Sequence, residues 1–198
     1  MTQSPQPDIA TTIEPKDVTK KDFLWKLAYL AIAGGVFMID QTTKAWATRT
    51  LRFEGDRSVI AGFLNFAYAK NTGVAFSMLD EGGDAGRWGL SIVAFVAATL
   101  VLYFFWRTPR TDDRVLGALA LLLAGIVGNV TDRMRLGFVV DFVDVQFGSW
   151  HYPTFNVADA AICIGAGLLI LDLFFSKRKK GTEVAAAIRN PQSEIQNP

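Results

Sequence analysis

Trp88-Gly-Leu-Ser-Ile-Val-Ala-Phe-Val-Ala-Ala-Thr-Leu-Val-Leu-Tyr-Phe-Phe-Trp106 runs for nineteen residues without a charged side chain. A helix rising about 1.5 Å per residue crosses the roughly 30 Å hydrocarbon core of a bilayer in that length. A tryptophan stands at each end, where amphipathic rings settle at the membrane interface. Three further apolar runs accompany it. Leu27 to Ile39 is short alone but reaches spanning length when continued through Asp40-Gln-Thr-Thr-Lys44 to Trp46. Val115 to Val130 stops at Asp132-Arg133, and Phe155 to Phe175 carries Asp159 near its start and ends at Lys177-Arg-Lys-Lys180. These runs predict an all-α membrane protein with four transmembrane helices, at about 24–47, 87–106, 114–133 and 156–176.

The composition agrees. Of 198 residues 51% are hydrophobic, and they are clustered rather than dispersed. A net charge of +1 gives no bulk basic field, so nucleic acid is not an expected partner. Cys163 is the single cysteine, which excludes an internal disulfide framework; on its apolar helix face it reads as a packing residue. His151 is the single histidine, which excludes His-rich metal cages, and its aromatic neighbours suggest an interfacial place. Chemistry must then come from carboxylates, hydroxyls, amides or lysine, with no metal and no cofactor expected.

Residues 1–22 are polar, with Pro5, Pro7 and Pro15 and no periodicity, and read as a disordered cytoplasmic extension. Ala45-Trp46-Ala47 has the form of a signal-peptide cleavage site, but the long polar leader and the charged Asp40 to Lys44 stretch argue that the first helix is retained. Lys16, Lys20, Lys21 and Lys26 precede helix one, Arg107, Arg110 and Arg114 fill the loop between helices two and three, and the basic tail, 177–198, follows helix four. With four spans these segments share one side, which the positive-inside rule makes cytoplasmic.

The two segments on the other side, about 50–86 and 134–155, complete a domain covering 23–176. Ser58 to Met78 is rich in valine, isoleucine, phenylalanine and tyrosine. Gly62 and Asn71-Thr-Gly73 serve as turn signals, which predicts a small antiparallel β-sheet with a hairpin. Gly137 to Phe155 reads as an interfacial loop or short helix lying among the headgroups.

Topology then brings polar residues together. Asp40 and Lys44, Asn129, Asp132 and Arg133, and Asn156 and Asp159 lie on the three helix ends that face the outer side. Ionisable groups at membrane depth are unfavourable unless paired or functional, so this many in one leaflet mark a site. Asp40 with Lys44 and Asn129 with Arg133 are spaced to meet on one helical face. Two carboxylates held close share a proton and become acid and base. Asp132, Asp141, Asp144 and Asp159 are the candidates for such a pair, and periodicity does not choose among them.

Five motifs do. Ile39-Asp40-Gln41-Thr42-Thr43-Lys44, Asn71-Thr72-Gly73-Val74-Ala75-Phe76-Ser77, Gly128-Asn129-Val130-Thr131-Asp132-Arg133, Val139-Val140-Asp141-Phe142 and Phe155-Asn156-Val157-Ala158-Asp159 occur in this order. Together they resemble the lipoprotein signal peptidase (signal peptidase II) family over roughly residues 25 to 176. The resemblance implies a four-helix membrane aspartic endopeptidase that removes the signal peptide from diacylglyceryl-modified prolipoproteins, cutting just before the lipidated cysteine. It puts the catalytic aspartates at Asp141 and Asp159. Asn71 and Gly73, Asn129, Arg133 and Asn156 fall on positions that line or support the site, Asp40 and Lys44 on a polar pair ending helix one, and Asp132 on an aspartate outside the dyad. Expected partners are prolipoprotein substrates and membrane lipids, with the chain a monomer in the bacterial inner membrane. Phe66, Tyr68, Trp150 and Tyr152 are expected to form an aromatic edge against the lipid. The departures are Ala124-Gly125-Ile126-Val127 where G-G-A is common, Val74 for alanine, Lys70 for arginine, and a longer leader.

Three rival readings fit less well. A proton-coupled carrier places its charges near the midplane with internal repeats. An assembly factor tolerates loss of the outer aspartates, and a metal-dependent hydrolase responds to chelator.

Overall fold

The computed structural model describes residues 20–73, 85–148 and 150–189. Most of the expected N-terminal extension, and Val74 to Ser77 of the second motif, lie outside them. Four long helices are present: α1 (Lys20–Glu54), α2 (Ala85–Arg107), α3 (Asp113–Leu136) and α4 (Val157–Arg189). Each is long and apolar enough to cross a bilayer. Helices α1 and α4 both run further than the apolar pattern predicts. The polar ends of these helices keep their backbone bonds satisfied within the helix once the apolar part has set its direction.

Helix α3 is the centre of the bundle. Half of its spanning window is buried, against 11% for α1 and α2 and 17% for α4. The outer faces of α2 and α4 carry exposed Ile92, Val93, Phe95, Val96, Ile164, Leu171 and Phe174, as lipid-facing surfaces do. Cys163 is exposed too, so it does not pack inside as expected; Ala158, Ile162 and Gly165 are the α4 residues that stand against α3. A methyl added at Gly125 of α3 would stand 2.3 Å from the Ala158 carbonyl oxygen, and one at Gly165 of α4 would stand 2.7 Å from that of Ala118. The two backbones therefore touch. Bilayers offer no hydrophobic drive between helices, so close backbone packing takes its place.

The sheet has four antiparallel strands in sequential order: β1 (Arg57–Ile60), β2 (Leu64–Asn71), β3 (Val139–Phe147) and β4 (Trp150–His151). Its first hairpin turns at Gly62, whose φ of 73° suits glycine. The segment expected to lie along the headgroups is instead the longest strand, β3, pairing from Leu64↔Val145 to Asn71↔Val139. Val139-Val140-Asp141-Phe142-Val143 is a β-branched and aromatic run, and pairing satisfies backbone groups that a loose interfacial chain would leave open. A register shift between Phe66 and Ala69 sets Asp141 opposite Ala69. Val140 and Phe142 pack with Ala47 and Leu51 at the end of α1, anchoring the sheet on the bundle. Asp141, between them, is sent to the opposite face.

Gly125→Ala is expected to lower the stability of the detergent-solubilised protein by roughly 1–3 kcal/mol. Gly34→Ala, where an added methyl meets nothing within 4 Å, should leave it unchanged or slightly raised. Thermal unfolding of both variants measures the difference.

Candidate active site

Asp40, Lys44, Asn129 and Asp132 form a buried cluster between α1 and α3. The Lys44 ammonium lies 2.9 Å from Asp40 Oδ2, 3.1 Å from Asp132 Oδ2 and 2.9 Å from Asn129 Oδ1. All four side chains are shielded from solvent. Backbone donors from other elements add to this. Asp40 Oδ1 accepts the Ala158 N–H in the first turn of α4 at 2.8 Å, and Asp132 Oδ2 accepts the Val140 N–H of β3 at 3.1 Å. A carboxylate facing a helix N-terminus also meets the positive end of its dipole. Gly128 makes this approach possible, because an added methyl there would lie 2.7 Å from Asp40 Oδ2. Gln41, quoted in the first motif without a role, donates to Asp40, Asp132 and the Gly128 carbonyl at 3.1–3.3 Å.

A second polar layer rests on the first. Asn156 and Asp159 cap the start of α4 reciprocally: the Asn156 N–H donates to Asp159 Oδ2 at 3.1 Å, and the Asp159 N–H to Asn156 Oδ1 at 3.0 Å. Asn156 Nδ2 then reaches Asp141 Oδ1 at 2.7 Å, so this one residue bridges the two aspartates. Asn71 Nδ2 donates to Asp141 Oδ2 at 3.0 Å, while its own Oδ1 accepts the Gly73 N–H at 2.9 Å. Gly73 has a φ of 91° and lies against Leu90 of α2, where an added methyl would come within 2.3 Å. Asn129 Nδ2 donates to Asp159 Oδ1 at 2.7 Å. The nine buried or half-buried polar residues thus form one continuous network from α1 to β3, and among the described residues no buried side-chain N or O lacks a partner.

Asp141 is 1% exposed. Burial pushes its carboxyl up to about 6, with the Asp159 charge acting in the same direction. The amides of Asn71 and Asn156 and the charge of Lys44 hold the rise back. The Arg133 guanidinium acts electrostatically on Asp159, Asp141 and Asp132. It makes no direct ion pair among the described residues, and Asn129 does not meet it: that amide is directed across to α1 and α4 instead. Arg87, in the first turn of α2, donates to the Arg133 and Met134 carbonyls at 2.8 and 2.7 Å. It secures the last turn of α3 beside the left-handed cap at Gly137.

Asp144 lies outside this network. It meets His151 Nδ1 at 3.0 Å and Asn65 at 3.1 Å, and the His151 contact holds its carboxyl below the usual range. The expected aromatic edge divides in two. Phe66 meets Trp46 and Phe142, while Trp150 and Tyr152 continue toward Phe147 and Phe155.

The family model for signal peptidase (SPase) II matches residues 25–175. The chain belongs to the signal peptidase II family. It is 40% identical over 151 residues to the lipoprotein signal peptidase of Shewanella loihica, covering 76% of this chain and 88% of that one. With the lipoprotein signal peptidase of Pseudomonas putida it shares 40% identity over 156 residues, 78% and 91% of the two chains. A solved bacterial membrane enzyme superposes with a TM-score of 0.68 at 30% identity, covering 77% of this chain and 91% of its own. Signal peptidase II membership makes this a multi-pass bacterial inner-membrane protease of lipoprotein processing.

A carboxyl raised by folding binds its proton in the native state before the unfolded chain does. Its contribution to stability is full below the unfolded value and is lost as pH rises through about 6. Unfolding of the solubilised peptidase between pH 4 and 7 should therefore show a declining stability that the Asp141→Asn variant lacks.

Proposed function

We propose that the peptidase hydrolyses diacylglyceryl-modified prolipoproteins just before the lipidated cysteine, using Asp141 and Asp159 as an aspartic dyad. The observation that carries this reading is the Asn156 bridge, with 2.7 Å to one carboxyl and 3.1 Å to the other. Two carboxyl groups tied to one residue in a buried site cannot both ionise cheaply, so the pair keeps one proton. Asp141, the more buried, holds it, since burial pushes its carboxyl up to about 6.

Asp159, ionised, takes a proton from the water whose oxygen attacks the scissile carbonyl carbon. Asp141 gives its proton to the carbonyl oxygen, leaving a neutral tetrahedral diol. As that diol collapses, one hydroxyl returns a proton to Asp141, the C–N bond breaks, and the amine leaves with the proton held on Asp159. Arg133 offsets the negative charge of the pair. Asn71 and Asn129 keep the carboxylates oriented, and Gly73 lets the chain after β2 pass close to α2. No metal or covalent intermediate takes part.

The positive-inside distribution puts both termini in the cytoplasm, so the converging ends of α1, α3 and α4 and the sheet face the periplasm. There the site meets a lipid-anchored substrate at the depth of its cysteine. Both aspartates come from one chain, and a monomer suffices.

Asp141→Asn and Asp159→Asn should each lower kcat/KM for a lipidated precursor by roughly 10³-fold or more. Chelator should leave the wild-type rate unchanged, and kcat/KM should fall as pH rises through about 6, where Asp141 loses its proton. Cleavage at the wild-type rate by either folded variant overturns the dyad, and inhibition by chelator overturns the metal-free mechanism.

A further inference from the structure

Three asparagines aim an N–H at the two aspartates, and each has its amide oxygen occupied by a group that can only donate. For Asn71 and Asn156 that group is a nearby backbone N–H, of Gly73 and Asp159, at 2.9 and 3.0 Å. For Asn129 it is the ammonium of Lys44, arriving from another helix at 2.9 Å. An ammonium has three donors and no lone pair, so the amide must turn its oxygen toward Lys44 and its NH2 away. That NH2 lies 2.7 Å from Asp159 Oδ1. With the amide flipped, two oxygens would face each other there, a contact compatible only with a protonated Asp159. Asn156 Nδ2 also approaches Asn129 Oδ1, at 3.3 Å, but its shorter bond goes to Asp141. The charged and closer constraint is Lys44, itself pinned by Asp40 on α1 and Asp132 on α3.

We infer that Lys44 is a positioning residue for the hydrolysis. It touches neither aspartate, acts through Asn129, and keeps a hydrogen-bond donor on Asp159 so that this carboxylate is presented ionised to the attacking water. The inference rests on the dyad reading above.

Removing Lys44 alone leaves two carboxylates buried without a cation, which endangers folding. The test therefore uses the Asp132→Asn background, in which Lys44→Met restores the cluster's original formal charge. In that background Lys44→Met should lower kcat by roughly tenfold or more, the effect of losing one charge-assisted hydrogen bond, with KM for the lipidated precursor within about twofold. Asn129→Ala should produce a similar loss, and the combination should be no slower than Asn129→Ala alone, because both remove the same donor. Lys44→Arg, which keeps a donor-only cation, should recover part of kcat. Lys44→Gln in the otherwise native chain lets the amide turn either way and should also lose kcat; it serves if the Lys44→Met variant does not fold. An unchanged kcat in the folded Lys44 variants overturns the inference, as does a combined loss equal to the product of the single losses. Retained cleavage by Asp141→Asn or Asp159→Asn would instead overturn the dyad reading itself.

Discussion

An ammonium taken out of water between helices needs carboxylates around it, and those carboxylates need donors in turn. Lys44 therefore commits much of the molecule at once. Asp40 reaches the first turn of α4, Asp132 takes the Val140 N–H of the sheet, and Asn129 extends the bonding to Asp159. Removing one member of such a group destabilises by roughly 3–5 kcal/mol, because the others stay buried and unpaired. Such a network holds one arrangement or fails, which is the property a site requiring fixed carboxyl geometry needs.

The packing around this network serves the same end. Glycines at 125, 128 and 165 bring α3 against α1 and α4 at distances no larger residue allows. The α4 N-terminus is thereby held where Asp40 can cap it and where the Asn156–Asp159 box faces β3. Strand β3 is fixed from two sides: Val140 and Phe142 sit on α1, and the strand pairs with β2. Asp141 has little freedom left.

The two layers do different work. The lower one, with its lysine and two carboxylates, balances charge and orients an amide. The upper one holds two carboxyl groups with donors on every oxygen, and burial raises Asp141 to about 6. The proposed mechanism draws opposite roles for two identical side chains from their environment rather than from residue type, through desolvation and neighbouring charge.

The apolar runs determined the four helices by themselves, since length and absence of charge decide whether a segment can span a bilayer. Motif spacing also announced which polar residues would gather. What the sequence left open was set by contacts between distant segments. Val139 to Phe147 looked like an interfacial chain because its partner, β2, lies some seventy residues earlier, a separation that local pattern does not register. The roles of Gln41 and Arg87 were hidden for the same reason: both reach acceptors on α3. Asn129 lay four residues from Arg133, yet its amide went to Lys44 and Asp159, because burial between helices rewards hydrogen bonds that satisfy two desolvated charges over a pairing that solvent can replace.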